Sequence, residues 1–414
     1  MRILYIVTAF PRSSGDVITP WLIETIKRLR GRGIEVEVLA PAYRGLRDQV
    51  IDGITVHRFR YAPAGLETLT HDQTTPDRLR EKPAYLGLVP GYVMAGSLAA
   101  IRLAKSGRFD ILHAFWPLPH GILGLAAQRI AGVPLVSTFF GVELTWLRKQ
   151  LPFLAPVVRG IIRKSAAVTV ISRYTAAEVE RLVPEASVRT IPFGAAVQPV
   201  PQERAHSGTR QHTQLLFVGR LVERKGVHVL LRALAAVRES AEVRLTIIGD
   251  GPMMASWSQE ARELGLGDAV SFRGFVSDED LAGEYARSDI FVLPAVRDRK
   301  GDVEGLGVVL IEALMHGLPV IASDCGGIPD VVTAESGLLV PPGDVDALAQ
   351  AIMRFVADPG LARRMAEAGA MHVDQRFSWG AITNELTQVY TEVLAGGRPR
   401  NSRRAVPGEA ARPS

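Results

Sequence analysis

The chain has 414 residues, 47% hydrophobic and 22% charged; this excludes a disordered polymer and exceeds what a single small core needs. A lone cysteine, Cys325, excludes an internal disulfide framework and a cysteine-based zinc site. The net charge of +5 suits phosphate ligands or an anionic membrane face, and without a basic stripe interleaved with aromatics no nucleic-acid partner is expected.

Residues 3–7 follow Met1 and Arg2 as a short apolar run. They read as a buried strand rather than an export signal, so a cytoplasmic location is expected. Similar runs recur at 36–40, 111–114, 135–139 and 167–171, then at 214–218, 244–248, 269–272, 290–293, 319–322 and 337–340. Near-continuous apolar runs of this length fit parallel strands buried on both faces. Amphipathic helical patterns lie between most of them, for example at 227–238 and 345–356, which predicts an α/β fold with right-handed crossovers. Residues 83–101 carry no charge and reach membrane-spanning length. Gly87, Pro90, Gly91, Gly96 and Ser97 dilute their hydropathy, so a soluble helix starting near Pro90 is expected, with lipid contact as the alternative. Arg159, Arg163 and Lys164 beside Ile161 and Ile162 form a second candidate for an anionic interface, against the view that both isoleucines are core.

The polar stretch 198–213 reads as a linker between a first domain at 1–197 and a second at 214–376. A last helix at 377–395 is expected to pack back on the first domain. The Gly-, Pro- and Arg-rich tail at 396–414 is expected to be disordered.

Three segments of the second half carry chemistry. In FVGRLVERKG, an apolar strand ends at Gly219, and Arg220 and Lys225 precede a helix. Two cations at a helix N-terminus suit a diphosphate, and a solvated basic turn is the competing reading. Replacing either cation by alanine is expected to remove most activity with little loss of stability. In EGLGVVLIEA, Glu304 and Glu312 flank a glycine-containing loop and a helix start. Glu312 lies among apolar residues and needs hydrogen-bond donors, which ribose hydroxyls would supply. Glu304 would sit near a sugar, and the amides of Leu306, Gly307 and Val308 would meet phosphates. An ion-paired helix glutamate plus an exposed loop glutamate explains the same pattern. IGDGP lacks the third glycine of a dinucleotide fingerprint and is a turn, not an NAD site.

In the first half, Gly15 lets the loop PRSSGD approach a ligand, with a plain surface turn as rival. His113 and His120 flank Phe115-Trp116-Pro117, and each lone histidine is more often structural than catalytic. Glu143 is a further carboxylate candidate for the cleft. Asp-x-Asp occurs at 278–280 and 344–346, both at expected helix starts, where aspartate caps.

These motifs resemble the retaining GT-B glycosyltransferases of family 4, also called group 1 glycosyltransferases. The resemblance spans nearly the whole chain and is most specific in GRLVERKG, IGDGP, RGFVSDEDL, DVEGLGVVLIEALMHGLPVIASDCGGIPD and GLLVPPGD. It implies two facing Rossmann-like domains with parallel sheets and an interdomain cleft. It further implies that Arg220 and Lys225 bind the donor diphosphate, that Glu304 contacts the transferred sugar and Glu312 the ribose, and that Gly219, Leu306, Gly307, Val308 and Gly15 line the donor, with residues 274–276, Val276 included, at the base. No metal or cofactor is implied. The partners implied are a UDP- or GDP-sugar donor and a glycan or lipid-linked acceptor, with work at the inner membrane surface. Many relatives carry His-x-His where this chain has His113-Ala-Phe115, so either His120 takes the place of a catalytic histidine or no histidine has that role. Asp330 stands where relatives often have Glu. A catalytically silent nucleotide-sugar-binding subunit, a nucleotide-sugar epimerase and a phosphorylase stay open as alternatives on the same fold.

Overall fold

A computed structural model describes residues 1–16, 18–71, 78–79, 82–195 and 212–396. Residues 198–211 of the expected linker and 397–414 of the expected tail lie outside the described residues. Among the described residues the strands form two sheets.

The first sheet contains β1 (Arg2–Ile6), β2 (Glu35–Pro41), β3 (Gln49–Ile51), β4 (Ile54–Phe59), β5 (Ile111–Phe115), β6 (Leu135–Phe139), β7 (Ala167–Val170) and β8 (Val188–Thr190). Their order is β3-β4-β2-β1-β5-β6-β7-β8, with all pairs parallel except β3 with β4. The second holds β9 (Thr213–Val218), β10 (Val243–Ile248), β11 (Val270–Gly274), β12 (Ile290–Leu293), β13 (Val320–Ser323) and β14 (Gly337–Val340), in the all-parallel order β11-β10-β9-β12-β13-β14. Every residue of β5, β6, β7, β12 and β13 is buried, because helices cover both faces. That is why these strands read as unbroken apolar runs.

The helices are α1 (Pro20–Arg30), α2 (Val89–Lys105), α3 (Pro117–Ala131), α4 (Val142–Gln150), α5 (Ala155–Lys164) and α6 (Arg173–Leu182) around the first sheet. Around the second are α7 (Val227–Val237), α8 (Met254–Glu263), α9 (Asp278–Arg287), α10 (Val308–Met315), α11 (Ile328–Val331), α12 (Val345–Ala357) and α13 (Pro359–Phe377), followed by α14 (Trp379–Leu394). The uncharged stretch at 83–101 is, as expected, a helix packed on the sheet through Tyr92, Gly96, Ala100 and Leu103. In α5, Ile161 and Ile162 are buried. As the competing view held, both isoleucines are core, while Arg159, Arg163 and Lys164 stay exposed.

In each sheet the chain reverses direction beside its first strand, between β1 and β5 and between β9 and β12. Ligands of open parallel sheets bind beyond the carboxyl ends of the strands at such a point. The two sets of carboxyl ends meet. The backbone N–H of Arg173, just after β7, donates to Asp330 Oδ2 at 2.5 Å, and its guanidinium pairs with the same carboxylate. Lys149 of α4 donates to the carbonyl of Lys300. Gly305 lies against Phe140 and Ile171.

The last helix returns to the first sheet. Trp379 Nε1 donates to the Ala195 carbonyl at 2.9 Å, and Arg189 pairs with Glu392. Tyr390 enters the core, where its hydroxyl meets Tyr5 Oη at 2.9 Å and His113 Nδ1 at 2.7 Å; His113 Nε2 meets Thr138 Oγ1 at 2.6 Å. Burial pushes the His113 imidazole down to about 3, so it stays neutral. Replacing Tyr390 by Phe leaves two buried polar atoms unsatisfied. We expect thermal denaturation to show a loss of about 1 to 3 kcal/mol, with donor affinity unchanged; an unaltered melting temperature would contradict the network's role.

Candidate functional site

The loop after β9 is held by backbone bonds to its neighbour: Gly219 N–H donates to Ile248 O and Leu221 N–H to Asp250 O, both at 2.9 Å. The chain then turns into α7 at Gly226, where φ is +69° and a Cβ would stand 1.8 Å from the Pro294 carbonyl oxygen. Only glycine fits, and this close approach presses the loop after β9 onto the loop after β12. The Val296 N–H bond to Arg224 O at 2.8 Å fastens the same seam.

That seam brings the two candidate charges together. Lys225 Nζ lies 2.7 Å from Glu304 Oε2, and both side chains are almost wholly buried. Burial alone would raise the Glu304 carboxyl. The charges of Lys225 and Arg224 and the hydrogen bonds from Lys225 and the Gly307 N–H outweigh it and hold the group below the ordinary carboxylate range. On the other side, a Cβ at Gly326 would meet the Glu304 carbonyl at 2.1 Å, so the loop after β13 also fixes this residue. Arg220 differs: it is exposed and has no carboxylate partner among the described residues. The competing reading of a solvated basic turn therefore fits exposed Arg220 alone, because Lys225 is buried against Glu304.

Leu306 is buried, Val308 half-buried, and Gly307, with φ +84°, caps α10. The Gly307 amide is turned to Glu304. Glu312 is buried on α10 and accepts from Tyr285 Oη of α9 at 3.0 Å; the Tyr285 ring stacks on His316 at 4.7 Å. A protein hydroxyl thus supplies a donor that the sequence left to a ribose. Beyond β11, the Gly274 carbonyl accepts from Gly249 N–H at 2.8 Å. Val276 there is half-buried, whereas Phe275 is 83% exposed beside the β9–β10 strand ends. Both belong to the segment 274–276 that the resemblance set at the base. The Asp-x-Asp segments lie at helix starts, with Asp344 capping α12 at 2.9 Å.

In the first domain, Gly15 is exposed with φ +80°, in a loop tied to the β3–β4 turn by Ser14 Oγ donating to Asp52. His120 lies beyond β1, with Nδ1 3.5 Å from Thr8 Oγ1. It is fully buried, with Nε2 on Tyr92 Oη at 2.9 Å and Nδ1 on the Trp116 carbonyl at 3.1 Å, and burial pushes it down to about 4. The catalytic assignment of His120 is corrected accordingly: both ring nitrogens serve the fold. The wall beyond β5 and β6 is aromatic instead. Trp116 stacks on Phe140 at 4.1 Å, Trp21 stacks on Phe193 at 4.1 Å, and Phe115 packs between His113 and Tyr5. Glu143 accepts from the Phe140 N–H at 2.7 Å; burial raises its carboxyl to about 7 against the pull of backbone bonds from Phe140, Glu143 and Gly141.

Two family models match the chain: glycosyl transferases group 1 over residues 201–372 and the glycosyl transferase 4-like domain over residues 22–194. A GDP-mannose-dependent alpha-(1-6)-phosphatidylinositol monomannoside mannosyltransferase of Mycolicibacterium smegmatis is 32% identical over 68% of this chain and 75% of its own. The Mycobacterium tuberculosis protein of the same name is 28% identical over 93% of this chain and 97% of its own. Among solved structures, sucrose-phosphate synthase from Thermosynechococcus elongatus superposes with a TM-score of 0.75 at 25% identity, covering 96% of this chain and 100% of its own.

The buried pair generates a pH-dependent prediction. A carboxyl held below its unfolded value adds stability above about pH 4.3 and loses it as the pH falls through the folded value. With Lys225→Met, burial is opposed far less and the folded value rises. We expect denaturant unfolding to show a deficit of about 3 kcal/mol at pH 7 that shrinks at pH 4. An equal deficit at both would contradict the pairing.

Proposed function

The chain belongs to the group 1 glycosyl transferases, has the GT-B fold and transfers a sugar from a nucleotide-sugar donor, and from this premise we propose that it moves a hexose with retention of configuration from a GDP-sugar, GDP-mannose first, to a lipid-linked acceptor at the inner membrane face. The observation that carries the reading is the Lys225–Glu304 pair set at the β9/β12 switch point with exposed Arg220 beside it. A diphosphate entering there meets Arg220 and competes with Glu304 for Lys225. Lys225 passes from carboxylate to phosphate, and the freed Glu304 accepts from a sugar hydroxyl. Both cations then stabilise the leaving diphosphate, a role that elsewhere a metal ion fills. Glu312, oriented by Tyr285, accepts from ribose hydroxyls, and Phe275 offers a face to the base.

Residues 1–197 are assigned the acceptor and residues 214–376 the donor. With His113 and His120 neutral and engaged in the fold, neither imidazole is placed to act as a base. This supports same-face attack, in which a donor phosphate oxygen takes the acceptor proton. The mannosyltransferase relatives act on phosphatidylinositol monomannoside, which supports a lipid acceptor and a peripheral location. Intact Arg220, Lys225, Glu304 and Glu312 argue against a silent binding subunit.

The test is release of GDP from GDP-mannose with phosphatidylinositol mannosides as acceptors. Arg220→Ala is expected to lower kcat/KM on the order of 10²-fold, about 3 kcal/mol, with an unchanged melting temperature. Near-normal turnover would remove the diphosphate assignment. NMR of the product should show an α-linkage, and a β-linkage would overturn retention.

A further inference from the structure

Helices α2, α3 and α5 form one layer on a face of the first sheet. Gly96 of α2 seats against Leu123 of α3, and Gly121 of α3 against Ile161 of α5. Each helix begins near the carboxyl ends of the strands, at the cleft, and runs away from it, since the strands are parallel and the helices return the chain.

The outer side of this layer is unusually apolar near the cleft. Leu86, Pro90, Met94 and Leu98 are exposed at four-residue intervals along α2 and the turn before it, with Met94 65% open. Phe153, 70% exposed, and Val157 do the same at the start of α5. Away from the cleft the outer side turns cationic. Arg102, Lys105, Arg129, Arg159 and Lys164 have no carboxylate partner among the described residues. From residue 82 to 164 the sequence holds ten Lys and Arg against two acids. Both acids are used internally: Asp110 accepts from the Arg2 N–H, and buried Glu143 from the Phe140 N–H.

We propose that this face is a docking surface for an anionic lipid bilayer. The apolar rim enters the interface beside the cleft and the unpartnered cations meet lipid phosphates. Residues Pro83–Lys105 are long and apolar enough to span, with a mean hydropathy of 1.5 over an 18-residue window. Because Tyr92, Gly96 and Leu103 lock α2 into the layer, it lies along the membrane instead. A second copy of the chain fits poorly: an isologous contact would bring unpartnered cations together with no carboxylate to meet them. The surface deepens the proposed lipid acceptor and rests on that reading only for its purpose, since it sets the cleft mouth against the lipid that would enter it.

The full chain is sedimented, without any sugar donor, with vesicles of phosphatidylglycerol and phosphatidylcholine and with vesicles of phosphatidylcholine alone. Binding is expected to the anionic vesicles, to weaken with salt, and to fall about tenfold in a Met94→Ser/Leu98→Ser/Phe153→Ser variant and in an Arg102→Gln/Lys105→Gln/Arg129→Gln variant. An unchanged melting temperature and unchanged stabilisation by GDP show that each variant is folded with its donor site intact. Equal binding to both vesicle types, variants that bind like the parent, or a dimer in solution that the serine variant abolishes would each overturn the proposal. Vesicle binding without sugar transfer to any lipid would leave the surface standing and sink the acceptor assignment alone.

Discussion

A buried lysine and a buried glutamate must stay together for the second domain to keep its form. Burial alone would raise the Glu304 carboxyl, and Lys225 Nζ at 2.7 Å offsets that penalty. The pair joins the loops that follow β9 and β12, the strands on either side of the point where the sheet changes direction. Around it the chain is crowded to a degree only glycine tolerates, at Gly226 against the Pro294 carbonyl and at Gly326 against the Glu304 carbonyl. The ligand site is therefore a place where backbone positions are fixed first and charges are set second, which is what preorganised stabilisation of a leaving anion requires.

The first domain is coupled to this arrangement by contacts between the strand ends and by the last helix. Asp330, after β13, receives both the backbone N–H and the guanidinium of Arg173 after β7. Helix α14 carries the chain back to the first sheet, where Tyr390 joins Tyr5, His113 and Thr138 in one buried polar chain. Beside the aromatic wall of Trp21, Phe115, Trp116, Phe140 and Phe193 the Glu143 carboxyl is raised to about 7, and the second domain contributes Arg220, Lys225 and Glu304.

Much of the fold was legible because parallel strands covered on both faces must be apolar throughout, and β5, β6, β12 and β14 lie within a residue of where their runs predict. The hairpin of β3 and β4 was not, since its residues alternate and its signal is the Asp52-Gly53 turn, both at positive φ. The three-residue β8 is too short to register. Glu304 and Glu312 were legible from their spacing around a helix start. Their environments were not: Tyr285, 27 residues from Glu312, and Lys225, far from Glu304 along the chain, meet them only through the sheet order. His120 was misplaced for the same reason, because spacing does not show which way a ring turns, and Tyr92 had claimed it.

The account depends on Lys225 exchanging partners when the donor arrives. A crystal structure of the protein with GDP-mannose bound tests this most directly. It should show Lys225 Nζ on a diphosphate oxygen, the Glu304 carboxylate on a sugar hydroxyl, and the 2.7 Å contact between them opened. A nucleotide sugar bound elsewhere, with the Lys225–Glu304 pair intact, would contradict it.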